Sequence, residues 1–259
     1  MARVSMPESR WKAVLLAVAV LALAGMALAW VTALSPFRSS PAPAVPALAT
    51  RIGEVRQVAL ADGSQLILDT DTRVLTAFTR EQRWIELEKG RVRVVVARDK
   101  IRPFIVRVGG REIVTAGVMF DVSHRDGIDI HMLHGSVEIR DASHRKGSEK
   151  LELQTGERLV IPAAANAAPT RSRAPDADRQ WVDEIQGFKD VPVRDIIDRA
   201  NAYGTEKIEL ADPATGHRRI SGQINIRSPA AAAEAIAGHL GLAVDRSRPG
   251  RIVIGPAGR

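Results

Sequence analysis

Ile85 to Val95 reads IELEKGRVRVV, two arms of alternating side chains with Lys89-Gly90 between them. Apolar and polar residues in alternation have the period of a half-buried strand. A glycine between such arms supplies the positive φ that a tight hairpin turn needs. The stretch predicts a hairpin turning at Gly90. The same unit recurs as VALADGSQLIL (58–68), IHMLHGSVEI (130–139) and LELQTGERLVI (151–161), and further turn pairs stand at Gly109-Gly110 and Asp126-Gly127. Repeated hairpins must bury one face against each other. Residues 51–162 are therefore expected to form an all-β domain, either a hairpin-rich sandwich or a β-helix-like stack. In GVMFDV, Val118, Phe120 and Val122 share one parity and are expected to point inward.

Downstream, AAANAAPTRSRAPDAD (163–178) has no periodicity and reads as a linker. Residues 179–259 change character. Val193, Ile196, Ile197 and Ala200 fall at i, i+3, i+4, i+7 on one helical face. Pro192 suits the start of that helix and Gly204 a left-handed cap after it. A second helix is framed by Ser228-Pro229 and Gly241, the same 37 residues further on. Strands are expected at Ile185–Phe188, Lys207–Leu210, Ile220–Ile226, Leu242–Asp245 and Arg251–Ile254. This is a small α+β module built of two helix-then-strand halves.

Upstream, Ser35 to Thr50 is rich in proline and alanine and predicts a semi-rigid spacer. Before it, Ala13 to Leu34 carries no charge. As a helix it reaches about 33 Å, enough to cross a bilayer core. Arg3, Arg10 and Lys12 precede it and only Arg38 closely follows. The cationic side stays in the cytoplasm, so 1–12 is expected to be a short cytoplasmic tail and the bulk of the chain to be exported. Trp11, Lys12 and Trp30 are the candidate anchor flanks. The rival reading is a cleaved signal with Ala27-Leu28-Ala29 as its cleavage site.

Composition narrows the chemistry. The chain has no cysteine, which excludes disulfides and thiolate metal sites. A net charge of +7 invites a nucleic-acid reading, but one tyrosine and no aromatic interleaving argue against it. His131 and His134 are three apart on a strand, so they point to opposite faces; with His124 they are read as surface or turn histidines, not a metal site. Asp69 and Asp71 share a strand parity and could act as acid and base. LDTDTRV reads instead as a turn with solvated carboxylates. Nucleophile-elbow, phosphate-loop and zinc-helix motifs are absent from the sequence. The expectation is a protein with no catalytic, cofactor or metal residues.

Several ordered stretches carry a family likeness: VRQVALADGSQLILDTDTRVL (55–75), RWIELEKGRVRVVVARDKIRPFIVRVGGREIVTAGVMFDV (83–122) and IDIHMLHGSVEIR (128–140). They resemble the periplasmic domain of FecR-type sigma-factor regulators. FKDVPVRDIIDRANAYGTEKIELADPATGHRRISGQINI (188–226) resembles the STN module that ends many of them. The resemblance implies a single-pass inner-membrane protein without enzymatic activity. It would couple the signalling domain of an outer-membrane TonB-dependent transporter to an extracytoplasmic-function sigma factor, usually in iron uptake. The alternative is a periplasmic structural or adaptor module without sigma-factor contact. One departure is that only Met1–Lys12 stand where the family carries a cytoplasmic sigma-binding domain, so either the true start lies upstream or this member has shed it. Small residues Ala22, Ala24, Gly25 and Ala27 in the membrane segment fit intramembrane cleavage or helix packing. Partner docking is expected by strand addition on Arg219–Ile226, with Lys207, Ser221 and Gln223 as contact candidates.

Overall fold

The computed structural model describes Met26 and residues 47–80, 82–143, 150–164, 167–174 and 180–257. The chain divides into Met1–Ala44 and a compact unit Val45–Arg259. The expected membrane segment lies outside the described residues except Met26, which is helical. So do Trp11, Lys12, Trp30 and Gly25. Among the described residues, no helix is long and apolar enough to cross a membrane.

Val45–Arg259 begins with a curled sheet built on a two-strand rhythm. Its strands are β1 (Ala47–Ala49), β2 (Arg56–Ala59), β3 (Gln65–Leu68), β4 (Arg73–Phe78), β5 (Arg83–Val95), β6 (Phe104–Val108), β7 (Arg111–Thr115), β8 (Met119–His124), β9 (Gly127–His134), β10 (Ser136–Asp141), β11 (Leu151–Gln154), β12 (Glu157–Pro162) and β13 (Thr170–Arg173). One half runs β1-β4-β5-β6-β7-β10-β11 and the other β2-β3-β5-β8-β9-β12-β13, joined through the long β5. The two halves enclose one apolar core, in which Leu66, Ile85, Val94, Phe104, Phe120 and Ile130 are fully buried. Phe120 and Val122 point inward as expected, while Val118, just before β8, is only partly buried against the core.

The hairpin reading needs correction at three glycines. IELEKGRVRVV is one strand, not a hairpin. Its first arm pairs with β4 and β6, its second with β3 and β8. Ile85 and Leu87 are buried before Gly90, Val92 and Val94 after it, so the inward phase shifts by one residue. A register shift against β4 at Arg73/Val74 absorbs the extra residue. Gly90 has φ +92°, and a Cβ there would stand 2.3 Å from Thr72 Oγ1, so only glycine fits the bend. IHMLHGSVEI and LELQTGERLVI also pass from one half to the other, at Gly135 and Gly156, without pairing with themselves. True hairpins close at Asp62-Gly63, Gly109-Gly110 and Asp126-Gly127. A positive φ serves a corner as well as a hairpin, and only the partner strands decide between them.

The domain edges also differ from the sequence reading. Ala47–Ala49, read as spacer, pairs with β4, and Thr170–Arg173, read as linker, pairs with β12.

The C-terminal module contains β14 (Ile185–Pro192), α1 (Val193–Asn201), β15 (Lys207–Leu210), β16 (Arg219–Asn225), α2 (Pro229–Leu240), β17 (Ala243–Asp245) and β18 (Arg251–Gly255). β14 and β16 form an antiparallel ribbon; β15 runs parallel to β18, which pairs antiparallel with β17. Val193, Ile196, Ile197 and Ala200 make the buried face of α1. α2 starts at Ser228, whose hydroxyl accepts from Ala231 N, and ends at Gly241 in the left-handed conformation. α1 ends differently. Its cap is Ala202 in right-handed geometry, and Gly204 has no positive φ. Gly204 is small because a Cβ there would meet Pro229 Cγ at 2.5 Å.

Candidate functional site

The outward face of the second half-sheet is polar because alternation puts it there. Arg91 and Arg93 face out from β5, Asp121 and Ser123 from β8, Asp129 and His131 from β9, and Arg158 from β12. Register sets them in two rows: Arg93, Asp121, His131 and Arg158 in one, Arg91, Ser123 and Asp129 in the next. The C-terminal module covers this grid. His131 is 5% exposed as a result. This corrects its reading as a surface histidine, whereas His134 is exposed.

Two buried carboxylates fasten the modules. Asp121 accepts from Arg93 Nε at 2.7 Å and from Arg93 at 2.8 Å with its other oxygen, and Trp181 Nε1 donates to it at 2.7 Å. Trp181 lies in a turn just before β14 and is 2% exposed. The Arg91 guanidinium sits 4.4 Å from its ring centroid and that of Arg93 5.5 Å. Asp69 is wholly buried. It accepts from Tyr203 Oη at 2.7 Å, from Arg91 Nε at 3.0 Å and from Arg125 at 3.2 Å. The expected solvated turn at LDTDTRV is therefore wrong for Asp69 and right for Asp71, which is exposed and pairs with Lys89. Thr70 and Thr72 hold this corner: Thr70 Oγ1 donates to Ala202 O, and Thr72 Oγ1 bridges to Arg91.

Charge at the corner is tuned by these contacts. Burial works against the Arg91 cation, but Asp69, Tyr203 and Asp121 outweigh it and hold its pKa above the usual value. Burial first, and Asp69 next, push the Tyr203 phenol up from its ordinary range.

Between the modules lies a cavity of about 320 Å³. Its walls include Arg91, Arg125, Trp181, Gln186, Tyr203 and Ile226. No cluster of three or more metal-ligating side chains exists among the described residues. His124 Nδ1 instead contacts the Glu88 carbonyl.

The candidate docking residues do not gather at one place. Ser221 and Gln223 are exposed on β16, whose buried side carries Ile220 and Ile224, with Ile226 just beyond the strand. Ser221 Oγ accepts from Asp190 N across the ribbon. Lys207 stands on β15, in the other sheet, and its ammonium donates to the carbonyls of Asn201, the last residue of α1, and of Gly204 beyond it. The sequence reading missed Trp181, Gln186 and Tyr203. Charges at outward strand positions, in RVRV and FDVS, mark this face as polar, but they carry no signal that another module covers it.

Residues 47–138 match the family model described as FecR protein, so the chain carries a FecR domain. Two crystal structures from Parabacteroides distasonis ATCC 8503, both described as a "putative anti-sigma factor", share the fold. Their TM-scores are 0.63 and 0.62 at 22% and 23% sequence identity, over 83% of this chain and 100% of each of theirs. That share is more than the β domain alone can supply, so the likeness extends into the C-terminal module. No curated protein matches the chain.

Proposed function

We propose that this protein is a non-catalytic signal relay regulating an extracytoplasmic-function sigma factor. The observation that carries the reading is the FecR domain at 47–138. The finer reading puts the chain in the inner membrane through Ala13–Leu34, with a cytoplasmic N terminus and residues 39–259 in the periplasm. Its C-terminal module, STN-like in sequence, receives the signalling domain of an outer-membrane TonB-dependent transporter in an iron-uptake system. Strand addition onto β16 supports that docking, because among the described residues β16 pairs only with β14. A new strand gains main-chain hydrogen bonds there, with Ser221 and Gln223 giving selectivity.

Topology and output are tested together. Alkaline phosphatase fused after Arg259 is expected to be active, and deleting the gene should alter transcription from the promoters of one such sigma factor. An inactive fusion overturns the topology. Unchanged transcription in inducing and non-inducing conditions favours the adaptor reading. For docking, Gln223→Pro removes a backbone donor from β16. Transporter-domain capture that persists in this variant, with its circular dichroism spectrum intact, moves the contact off this strand.

A further inference from the structure

The cavity between the modules has a buried hydrogen-bond donor on its wall that meets no acceptor among the described residues. Gln186 is 2% exposed on its wall, and its amide nitrogen has no partner among the described residues. A buried donor left without an acceptor is costly, and native structures rarely tolerate one. The nearby carboxylates do not supply the acceptor. Asp121 is taken on both oxygens by Arg93 and on one also by Trp181. Asp129 receives two bonds from Arg158.

Charge gives the second argument. Arg93 is matched by Asp121 and Arg158 by Asp129, while Asp198 and Arg199 are neighbours on α1. Asp69, buried behind Tyr203, faces two cations, Arg91 and Arg125. The wall therefore carries one cation in excess. Apart from Ser123 and His131, the uncharged wall beside Gln186 is apolar: Ala202, Ile226 and the rings of Trp181 and Tyr203. A volume of about 320 Å³ lies within the range of small-molecule sites.

We propose that this inter-module cavity binds a small organic monocarboxylate. Its carboxylate accepts from the Gln186 amide and neutralises the excess charge at Arg91 and Arg125. Its hydrocarbon body lies against Ile226 and the two rings. Because the β domain supplies the arginines and the C-terminal module supplies Gln186, the ligand bridges the two modules and holds them together.

Straight-chain monocarboxylates from acetate to hexanoate, titrated calorimetrically into the purified full chain, test this. Binding should tighten with chain length until the cavity is full, as each methylene leaves water, and the thermal midpoint should rise with occupancy. Hexanamide and hexylamine should not bind. Gln186→Leu should weaken hexanoate by about tenfold or more, the worth of a hydrogen bond to a charged group. Should that variant fail to fold, Arg125→Gln, at the more exposed rim, should weaken it comparably while the Arg91–Asp69 pair remains. No heat with any acid, equal affinity for the amide, or unchanged affinity in the variants would overturn the proposal. Inorganic phosphate binding more tightly than hexanoate, and losing affinity in the same variants, would overturn the carboxylate assignment and leave an oxyanion site.

Discussion

The interior of the curled sheet and the contact between the two modules both bury side chains, but of different kinds. The sheet interior buries an almost unbroken set of Leu, Ile, Val and Phe side chains from both halves. The contact buries Asp69 and Asp121 among arginines, with Tyr203 and Trp181 donating to them. Apolar burial is non-directional, so any side chain of suitable size on the right parity contributes. Polar burial works only when each group meets its own partner, because an unmatched charge in a dry place is strongly unfavourable. The first region can tolerate exchange of one hydrocarbon for another. The second specifies how one module sits on the other.

The comparison predicts a ladder of effects. Phe120→Ala opens a void in the fully buried core and should destabilise the chain by about 3–5 kcal/mol, read as a lowered urea midpoint. A change below 1 kcal/mol would mean that the two half-sheets do not share one core. Asp69→Asn leaves Arg91 and Arg125 facing a neutral amide. Loss of one partner of a fully buried pair costs about 3–5 kcal/mol. Here both arginines keep some access to water, so about 2–3 kcal/mol is expected. Hydrogen exchange should show the loss concentrated at β15, α1 and the Trp181 turn, with β8 and β9 still protected. Uniform loss would erase the distinction between the regions.

Tyr203→Phe removes one donor to Asp69 and should cost about 1 kcal/mol at neutral pH. Its larger signature is in alkali. The folded phenol pKa is raised above the unfolded value near 10, so its stabilising contribution is complete below about pH 10 and lost as pH climbs toward the folded value. The thermal midpoint of the parent chain should fall more steeply above pH 10 than that of the variant; parallel profiles would show that the phenol is not coupled to folding. Asp71→Asn, two residues from Asp69, breaks only an exposed pair with Lys89 and should stay within about 0.5 kcal/mol. A larger loss would make the whole corner, not Asp69 alone, the point of attachment.

These two aspartates show where sequence reasoning stops. Asp69 and Asp71 have the same parity and the same threonine-rich surroundings, yet one is buried and the other exposed. What separates them is Tyr203, 134 residues away, whose hydroxyl reaches one of them. Gly90 is the same kind of case. Its positive φ was readable, but whether it closed a hairpin or bent a long strand depended on β3, β4, β6 and β8.

The sequence by itself determined most of the β and α segments, the inward parity of Phe120 and Val122, the buried face of α1 and the FecR resemblance. Those are set by periods of two and 3.6 residues and by short motifs, all of which lie along the chain. Only the tertiary structure decided which glycines turn corners, that Thr170–Arg173 pairs into the sheet, that Trp181, Gln186 and Tyr203 meet around one cavity, and that Asp69 is bonded to Tyr203. The physical reason is that strand pairing and buried polar contacts each need two distant segments, and a pattern read along one segment does not say which other segment will complete it.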